Sequence, residues 1–316
     1  MLEELKTFIE VVELKNFTKA AERLNISQPT VSLHIKRLED YFDEVFIVRG
    51  KKQKRLVITA AGTRMYRQAK KILNLWKSTY SYVRDELDAA AGNLIIGVTF
   101  TIGEYFLPEF LGEFNKSFPN IKVEVEIGNT QKISELLASY KINAAIVEGN
   151  IIDERFYKQH LYEDKLVVIV PRGHEQKKME EERWIIREKG SGTRGQWEYL
   201  VGSNLKELKY KPLVLNSNFA VKEAVRNGLG AALISEYIAL GAVANGELTI
   251  SREQLKGRRF FDLLLAKDGM HDKALEIFCQ KISEFFQNKG KIMRKAENFQ
   301  KSNEKNLLIE DVLKDR

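Results

Sequence analysis

Apolar residues near the start of the chain recur with the spacing of a helix. Leu5, Phe8, Ile9 and Val12 fall on one face when residues 3–14 are wound at helical periodicity. Lys6 and Glu10 lie between them, off that face. The pattern predicts an amphipathic first helix that buries its apolar face against neighbouring elements.

Two further helices are predicted at short intervals. Thr18 is the expected N-cap of TKAAERL, and after the connector at residues 25–27 we expect Ser27 to cap a third helix, with Pro29 in its first turn. The third helix has an apolar face at Val31, Ile35, Leu38 and Phe42, and an outward face at Pro29, Thr30, Ser32, Leu33 and Lys36. This order predicts a helix-turn-helix: a helix, a tight turn and a second helix with a polar outward face. In such a motif the second helix reads the major groove of DNA.

A long helix is predicted from a cap at Thr59 to about Asp88. Apolar residues form a seam along it, at Met65, Ala69, Ile72, Trp76, Tyr80, Val83 and Leu87. A lone helix would leave this seam exposed, which favours pairing with the same helix of a second chain. The alternative is that the seam packs against the C-terminal body of its own chain. Residues 89–93 are expected to end the helix and act as a hinge.

From residue 94 to about 287, strand patterns alternate with helix patterns. The alternation predicts a mainly parallel α/β architecture, and its length is large for one sheet. The predicted strands are LIIGVTF, IKVEVEI, NAAIVE, KLVVIVP, RWIIRE, KPLVLNS, GAALIS and RRFFDLLLA, with helices such as GEYFLPEFLGEFNKSF, TQKISELLASY and FAVKEAVRNG between them.

Length and charge add two constraints. A chain of 316 residues is long enough for several domains, and its net charge of +7 is unevenly distributed. Residues 1–90 hold 17 Lys+Arg against 12 Asp+Glu, residues 91–286 hold 26 against 27, and residues 287–316 hold 8 against 5. A basic N-terminal part joined to a neutral body is typical of a nucleic-acid-binding module attached to a second domain.

The N-terminal residues and the number of cysteines indicate the cellular compartment. The single cysteine, Cys279, permits no internal disulfide and favours a reducing compartment. The acidic first residues do not resemble a signal peptide, and no apolar run is long enough to span a membrane. We therefore expect a cytoplasmic protein with no membrane partner.

About sixty-five contiguous residues carry a family resemblance. FxxVVExxNFTKAAERLNISQPTVSLHIKRLE, followed by FIVRGKKQKRLVITAAG, closely resembles the winged helix-turn-helix of LysR-type transcriptional regulators. The resemblance implies an all-α winged helix-turn-helix domain at 1–58 and a linker and dimerisation helix at 59–91. It further implies an α/β effector-binding domain at 92–287 that resembles periplasmic binding proteins, with one subdomain at 92–163 plus 268–287 and another at 164–267, and a charged C-terminal extension at 288–316.

The same resemblance assigns DNA contacts. Gln side chains can pair with adenine edges, and Lys or Arg in the wing can contact phosphates. Leu33-His34 stands where many members carry Arg-Gln, so Leu33 could contact a thymine methyl group and His34 is expected to be structural; Asp43 replaces a frequent glycine. The predicted DNA-binding residues are Thr18, Ser27, Gln28, Pro29, Thr30, Ser32, Leu33, Lys36, Arg49, Lys51, Lys52, Lys54 and Arg55.

Four junctions where a predicted strand meets a helix carry small hydroxyl or amide residues. Backbone N–H groups and the helix dipole favour anions at such junctions, and Arg194 adds a cation that could hold a carboxylate, sulfate or phosphate. Each cap alone could simply finish a helix. We expect a small anionic effector at Thr99, Phe100, Thr101, Ile102, Asn129, Thr130, Glu148, Ser191, Gly192, Thr193, Arg194, Asn218 and Phe219.

The sequence gives weaker support to an enzymatic function. Gly190-x-Gly192-x-x-Gly195 formally matches a dinucleotide fingerprint, but it lies deep within the body, which disfavours an NAD(P)-dependent oxidoreductase. The four histidines are far apart and Cys279 falls in an apolar pattern, so we expect no catalytic residues, metal or cofactor. The N-terminal DNA module argues against a solute-binding protein.

The resemblance also suggests partners and a pathway. It implies promoter DNA, a small-molecule effector, and homodimers paired into homotetramers, with RNA polymerase as a further candidate partner. The strings FTIGEYFLP, IGNT, IVEGN and REKGSGTR are most similar to the branch of cysteine/sulfite-assimilation and carbon-fixation regulators. Control of sulfur or central carbon metabolism is the resulting expectation.

Overall fold

The computed structural model describes residues 1–49, 56–83, 91–149, 151–201, 208–252, 255, 258–267, 269 and 272–291. The chain divides into an N-terminal unit, residues 1–89 with 268–272, and a C-terminal unit, residues 90–267 with 273–316. No helix among the described residues is long and apolar enough to cross a membrane. Each unit has a hydrophobic core of its own.

The N-terminal unit contains four helices and a two-stranded wing. In chain order they are α1 (Leu2–Leu14), α2 (Phe17–Leu24), α3 (Gln28–Phe42), β1 (Ile47–Arg49), β2 (Leu56–Ile58) and α4 (Ala60–Val83). β1 and β2 are antiparallel, with the backbone of Arg49 opposite Leu56. The core buries Phe8 of α1, Ala20 of α2 and Val31 of α3, so the predicted helix-turn-helix is present.

Side-chain caps explain where these helices begin. Ser27 accepts a hydrogen bond from the Thr30 amide, as predicted, and Thr59 Oγ1 accepts one from the Gly62 amide at 2.9 Å. The expectation that Thr18 caps α2 is wrong. The helix begins at Phe17, because the Asn16 side chain accepts hydrogen bonds from the amides of Thr18 and Lys19.

The C-terminal unit alternates strands and helices. Its first part contains β3 (Gly92–Thr99), α5 (Phe100–Tyr105), α6 (Leu107–Ser117), β4 (Ile121–Gly128), α7 (Thr130–Ala138), β5 (Ala144–Glu148) and β6 (Phe156–Val170). There follow β7 (Ile185–Arg187), α8 (Gly192–Val201), β8 (Leu213–Leu215), α9 (Asn218–Arg226), β9 (Ala232–Ser235), α10 (Glu236–Ala244), β10 (Thr249–Ile250), β11 (Arg258–Ala266) and a last helix, α11, at residues 273–291.

The sheet is mixed, which corrects the expectation of a mainly parallel architecture. β3 pairs in parallel with β4 and β5, and β7 with β8, but β11 is antiparallel to β5 and β6. β6 is also antiparallel to β9 and β10. Its first half, FYKQHLYED, lacks a continuous apolar run, so the sequence predicted only its second half as a strand. The chain leaves the first half of the unit along β6 and returns along β11, and this path makes the two strands antiparallel.

The seam on α4 has two parts. Met65 and Ala69 pack into the core of the N-terminal unit. Farther along the helix, Ile72, Trp76 and Tyr80 are 42%, 55% and 53% exposed. Leu87, the last predicted seam residue, lies outside the described residues. The seam is therefore used within its own unit near the start of α4 and is exposed at Ile72, Trp76 and Tyr80.

The last described helix packs against α6 and the sheet. Phe278, Ile282 and Phe286 of α11 are buried in the core formed by β3, β5 and β11. Burial raises the pKa of the partly buried Cys279 thiol to about 12, as expected for a structural cysteine. The helix continues past the expected start of the extension to residue 291, and Lys289 pairs with Glu109 at 2.7 Å.

Candidate functional site

Strand ends and helix starts bring polar side chains together in the C-terminal unit. β3 and β5 are adjacent and parallel, so their carboxyl ends, at Thr99 and Glu148, lie at the same edge of the sheet. Eight buried residues are connected there by hydrogen bonds or ion pairs, and we call them the buried polar cluster: Thr101, Glu148, Asp164, Arg187, Thr193, Asn218, Ser235 and Arg259.

Thr101 lies at the centre of this cluster. Its hydroxyl donates to Glu148 Oε1 at 3.0 Å and accepts hydrogen bonds from Asn218 Nδ2 at 3.2 Å and Arg259 Nη2 at 3.4 Å. A hydroxyl has one proton to donate and two lone pairs, so its full hydrogen-bonding capacity is used. Thr101 therefore holds together residues from three separate elements, β5, α9 and β11.

Arg259 neutralises the buried acids. Its Nε donates to Asp164 Oδ2 at 2.7 Å, and its Nη1 donates to Thr193 Oγ1 at 2.6 Å and lies 3.3 Å from Glu148 Oε1. The side chains of all three charged residues are at most 3% exposed. Ser235 satisfies the other Asp164 oxygen with a hydrogen bond of 2.6 Å. Buried charges persist where they are paired and hydrogen-bonded in this way.

Glu148 is the least well compensated member. Burial raises the pKa of its carboxyl group, with the charge of Arg259 opposing and that of Asp164 adding to the rise. Its Oε2 has no hydrogen-bond partner among the described residues. This carboxyl group therefore has a greater tendency to hold a proton than an ordinary glutamate.

Arg187 is a second buried cation at the end of β7. Its guanidinium donates to Asn218 Oδ1 and to both oxygens of Glu188, at 2.8 and 3.1 Å, and stacks over the Phe100 ring at 4.8 Å. Although burial works in the opposite direction, the hydrogen bonds and charge of Arg187 keep the pKa of Glu188 below its usual value. Glu188 also accepts a hydrogen bond from Asn129 Nδ2 at 3.2 Å.

The predicted site residues fall into distinct groups. Thr101, Glu148, Thr193 and Asn218 belong to the buried polar cluster. Thr99, Phe100, Asn129, Thr130, Ser191 and Gly192 border it: Thr99 and Ser191 are buried at the ends of the elements that supply the cluster, and Thr130 Oγ1 donates to the Glu148 carbonyl at 2.7 Å.

Three predicted residues have different surroundings. The Arg194 side chain is 16% exposed, and its guanidinium donates to Glu198 at 2.7 Å and to the Arg187 carbonyl at 3.0 Å, so the protein already engages it. Ile102 is fully buried in the hydrophobic core, and Phe219 is 61% exposed. The buried cations at the site are Arg187 and Arg259, which the sequence analysis did not select.

Close backbone contact explains the glycine pattern. A Cβ on Gly192 would stand 2.2 Å from the Glu148 carbonyl oxygen, and Gly190 has a φ of +85°. Gly195 has open space around it. The glycines therefore let α8 approach the end of β5, which accounts for the pattern without a dinucleotide.

In the N-terminal unit, α3 presents the predicted base-reading residues. Gln28 Nε2 donates to Ser32 Oγ at 3.0 Å, Ser27 and Thr30 hydroxyls are 2.7 Å apart, and Leu33 is 46% exposed. Pro29, Lys36 and Thr18 are exposed, whereas Lys51, Lys52, Lys54 and Arg55 lie outside the described residues.

His34 is structural, as predicted. Its Nδ1 forms a hydrogen bond of 2.8 Å with the Thr7 hydroxyl of α1. Asp43 ends α3 with a φ of 51°, in the left-handed region that glycine adopts most readily. A glycine would adopt this conformation more readily than an aspartate does.

Comparison with known proteins connects both units to one family. A family model described as "LysR substrate binding domain" matches residues 88–287, and one described as "Bacterial regulatory helix-turn-helix protein, lysR family" matches residues 2–63. The chain is 36% identical over 255 residues to the HTH-type transcriptional regulator CysL of Bacillus subtilis (strain 168), covering 78% of this chain and 84% of CysL. It is 29% identical over 299 residues to a "Probable RuBisCO transcriptional regulator" of Guillardia theta, covering 90% and 96% of the two chains.

A solved structure agrees with the C-terminal fold. The Synechocystis PCC6803 CcmR regulatory domain in complex with 2-PG aligns with a TM-score of 0.53 and 25% identity, covering 62% of this chain and 98% of that domain. The expected order of a helix-turn-helix domain followed by an α/β effector-binding domain is confirmed. The chain belongs to the LysR family of transcriptional regulators.

Proposed function

We propose that this regulator binds promoter DNA in the cytoplasm through residues 1–58, dimerises through residues 59–91, and is controlled by a small anion bound in residues 92–287. Contact with RNA polymerase and pairing of dimers into tetramers belong to the same proposal. The observation that carries it is the combination of an exposed α3 face with a buried polar cluster where several strands and helices end. It is a binding protein in this proposal, with no catalytic step.

DNA binding is tested on the promoter region upstream of its own gene. Affinity measured by fluorescence anisotropy should fall as salt rises, with a linear dependence of log K on log salt, because basic residues displace counterions from phosphates. Lys36→Ala, on the exposed face of α3, should make the slope shallower by about one charge. Lys116→Ala, exposed on α6, is the matched control and should leave it unchanged. A wild-type affinity that does not change with salt would contradict the proposal.

Leu33 is proposed to read a thymine methyl group. It is an exposed apolar residue on the outward face of α3, which also carries the polar residues Thr30, Ser32 and Lys36. Leu33→Ala should therefore reduce the preference for the promoter over random DNA by about 1 kcal/mol, the order of one buried methyl contact, while binding to random DNA stays constant. An equal loss on both DNAs would show that Leu33 does not contribute to base reading.

Dimerisation is proposed through the exposed part of α4. Ile72 and Trp76 are one turn apart and exposed, and helices with such a seam associate in water. Trp76→Glu should shift the protein toward monomers in analytical ultracentrifugation, and Trp76→Phe should retain dimers. If Trp76→Glu leaves the sedimentation profile unchanged, the interface lies elsewhere.

The anionic effector is proposed for the region beside the buried polar cluster. Its support is the N-terminal ends of helices α8 and α9, whose backbone N–H groups favour an anion and which begin beside the cluster that contains Arg187 and Arg259. The CcmR regulatory domain, 25% identical, was solved in complex with 2-PG, and relatives named as RuBisCO regulators make central carbon metabolism one candidate. Sulfur metabolism is the other, through the branch that the sequence resembles.

A thermal-shift screen of sulfate, phosphate, phosphorylated compounds and carboxylates tests this part. The matched variant is Thr99→Val, because Thr99 Oγ1 is buried with no hydrogen-bond partner among the described residues. Removing that hydroxyl should preserve stability and weaken an anion that bonds to it by about tenfold, the value of a net hydrogen bond of about 1–1.5 kcal/mol. A wild-type protein that no anion stabilises would reject the anionic effector.

A further inference from the structure

Two oxygen atoms at the carboxyl ends of β3 and β5 are buried without hydrogen-bond partners. They are Thr99 Oγ1 and Glu148 Oε2, and both residues are at most 2% exposed. β3 and β5 are neighbouring parallel strands, in which Val98 is opposite Ile146. Buried polar atoms in native proteins are almost always satisfied by protein, by ordered water or by a ligand, so these two oxygens are available to a molecule that binds at the strand ends.

The charges around Glu148 are already balanced against one another. Arg259 of β11 and Arg187 of β7 provide two positive charges, while Asp164 of β6 and Glu104 of α5 face Glu148 with like charge. From α7 and α8 the nearest described contacts are the Thr130 hydroxyl and the Gly192 backbone, both at the Glu148 carbonyl. Arg187 is further neutralised by Glu188.

An added anion would therefore meet no excess of positive charge. Counting Glu148 as ionised, the four carboxylates of Asp164, Glu104, Glu148 and Glu188 outnumber the three cations, which are Arg187, Arg259 and the Lys222 that faces Glu104. Placing one more negative charge beside an ionised buried carboxylate is strongly unfavourable. A proton on Glu148 removes one of the opposing charges and also turns Oε2 from an acceptor into a donor.

We infer that the effector anion binds together with a proton, which is taken up by Glu148, so that the carboxylic acid and the Thr99 hydroxyl both donate to the bound anion. This inference rests on the proposed anionic effector and adds how its binding is controlled. The protein then reports anion concentration and pH together. At a given anion concentration, occupancy rises as the pH falls.

The chemistry at the site supports this direction. Burial already raises the pKa of Glu148, which reduces the cost of protonating it. Oε1 is held by Thr101 and lies near Arg259, so the unpartnered Oε2 is the oxygen left to carry the proton. Binding of the anion and binding of the proton strengthen each other by the same factor, as linkage requires.

Sulfate is the probe for the test, because its charge does not change between pH 5.5 and 8.5. Isothermal titration of the full chain should show sulfate affinity falling as pH rises, with a slope of up to about tenfold per pH unit, the value for one linked proton. Titrations in two buffers of different ionisation enthalpy should show uptake of up to one proton per sulfate.

Three variants separate the roles of the residues. Glu148→Gln carries a neutral donor at every pH, so its sulfate affinity should be nearly independent of pH and should exceed that of the wild type at pH 8.5. Thr99→Val should weaken sulfate binding by about tenfold at each pH and keep the slope. Glu113→Gln, exposed on α6, is the matched control and should behave as the wild type.

The outcomes distinguish this inference from the proposal beneath it. Two results would overturn the proton coupling but not the anionic effector. In the first, the wild type binds sulfate with an affinity that does not change with pH. In the second, the sulfate affinity of Glu148→Gln depends on pH as strongly as that of the wild type. Sulfate is the wrong probe if it fails to bind at every pH up to high millimolar concentration while another anion from the screen binds. The same titration with that other anion then tests the proton coupling. If no anion binds, both are wrong.

Discussion

Arg259→Met is the most informative perturbation of the effector-binding domain. The change keeps a long side chain but removes the cation that bonds to Asp164 at 2.7 Å and lies 3.3 Å from Glu148. Both carboxyl groups would then be buried without their counter-ion, and the hydroxyls of Thr101 and Thr193 would each lose a donor. Met can fill the volume, so the cost is mainly electrostatic.

The expected magnitude follows from burial. Breaking a buried ion pair by removing one partner costs about 3–5 kcal/mol, because an uncompensated charge remains. In a domain of this size each kcal/mol lowers the melting temperature by about 2–4 °C, so the C-terminal transition should fall by about 6–20 °C. Arg258→Met is the matched control: Arg258 is the neighbouring residue on the same strand, is 78% exposed, and pairs with Glu163, which is 38% exposed. It should leave the transition unchanged.

The dependence on pH separates the electrostatic account from a loss of packing. Arg259 opposes the rise in the pKa of Glu148, so its removal raises that pKa further above the ordinary value of 4.5. A carboxyl group whose folded-state pKa is raised stabilises the fold below its unfolded-state pKa, and that contribution is lost as pH rises through the folded-state pKa. The deficit of Arg259→Met should therefore be smaller at pH 5 than at pH 8 in thermal melts. A deficit below about 1 kcal/mol, or one that is equal at both pH values, would refute the reasoning.

The remaining predictions concern glycines that lie very close to backbone carbonyl groups. Gly62→Ala should destabilise the N-terminal unit by about 1–3 kcal/mol in urea melts, because its Cβ would stand 2.2 Å from the Phe46 carbonyl oxygen. Gly192→Ala should destabilise the C-terminal unit by a similar amount and weaken anion binding, since its Cβ would stand 2.2 Å from the Glu148 carbonyl oxygen. Gly112→Ala is the control for both: it is helical with open space around it and should stabilise its unit by about 0.5–1 kcal/mol. If Gly62→Ala and Gly192→Ala both behave like Gly112→Ala, the close contacts do not constrain the fold.

Local patterns predicted the elements well because each depends on nearby residues. The apolar spacing of α1, the Ser27 cap of α3 and the Thr59 cap of α4 involve contacts within a few positions. The Asn16 cap was missed because Asn16 and Thr18 are both good N-caps and lie two residues apart. The first half of β6 was missed because its outward residues are polar on a strand that is only partly covered.

The buried cations could not be found in the same way. Arg187 and Arg259 lie next to apolar strand residues, and arginine is mostly exposed in proteins, so the sequence favoured Arg194 as the anion-binding cation. The partners that stabilise them come from distant positions, as the pair of Arg259 with Asp164, 95 residues apart, illustrates. One local signal was available: Glu198 follows Arg194 by four residues, which is the spacing of a surface ion pair on a helix.

The buried polar cluster has a consequence for how an effector can act. Thr101 comes from α5 and Glu148 from β5, in the first part of the C-terminal unit, whereas Thr193 and Asn218 come from helices that follow β7 and β8. Hydrogen bonds from Asn218 to Thr101, and from Arg259 to both Thr101 and Thr193, join these two parts without any ligand. An effector can change the equilibrium between two arrangements of these parts only if it binds one arrangement more tightly than the other. A ligand that bonds to the unpartnered Thr99 and Glu148 oxygens adds to this network, whereas one that displaces Thr101 has to replace three hydrogen bonds at once. The cluster therefore selects ligands by how completely they satisfy its polar atoms, which favours a compact acceptor over a larger apolar molecule.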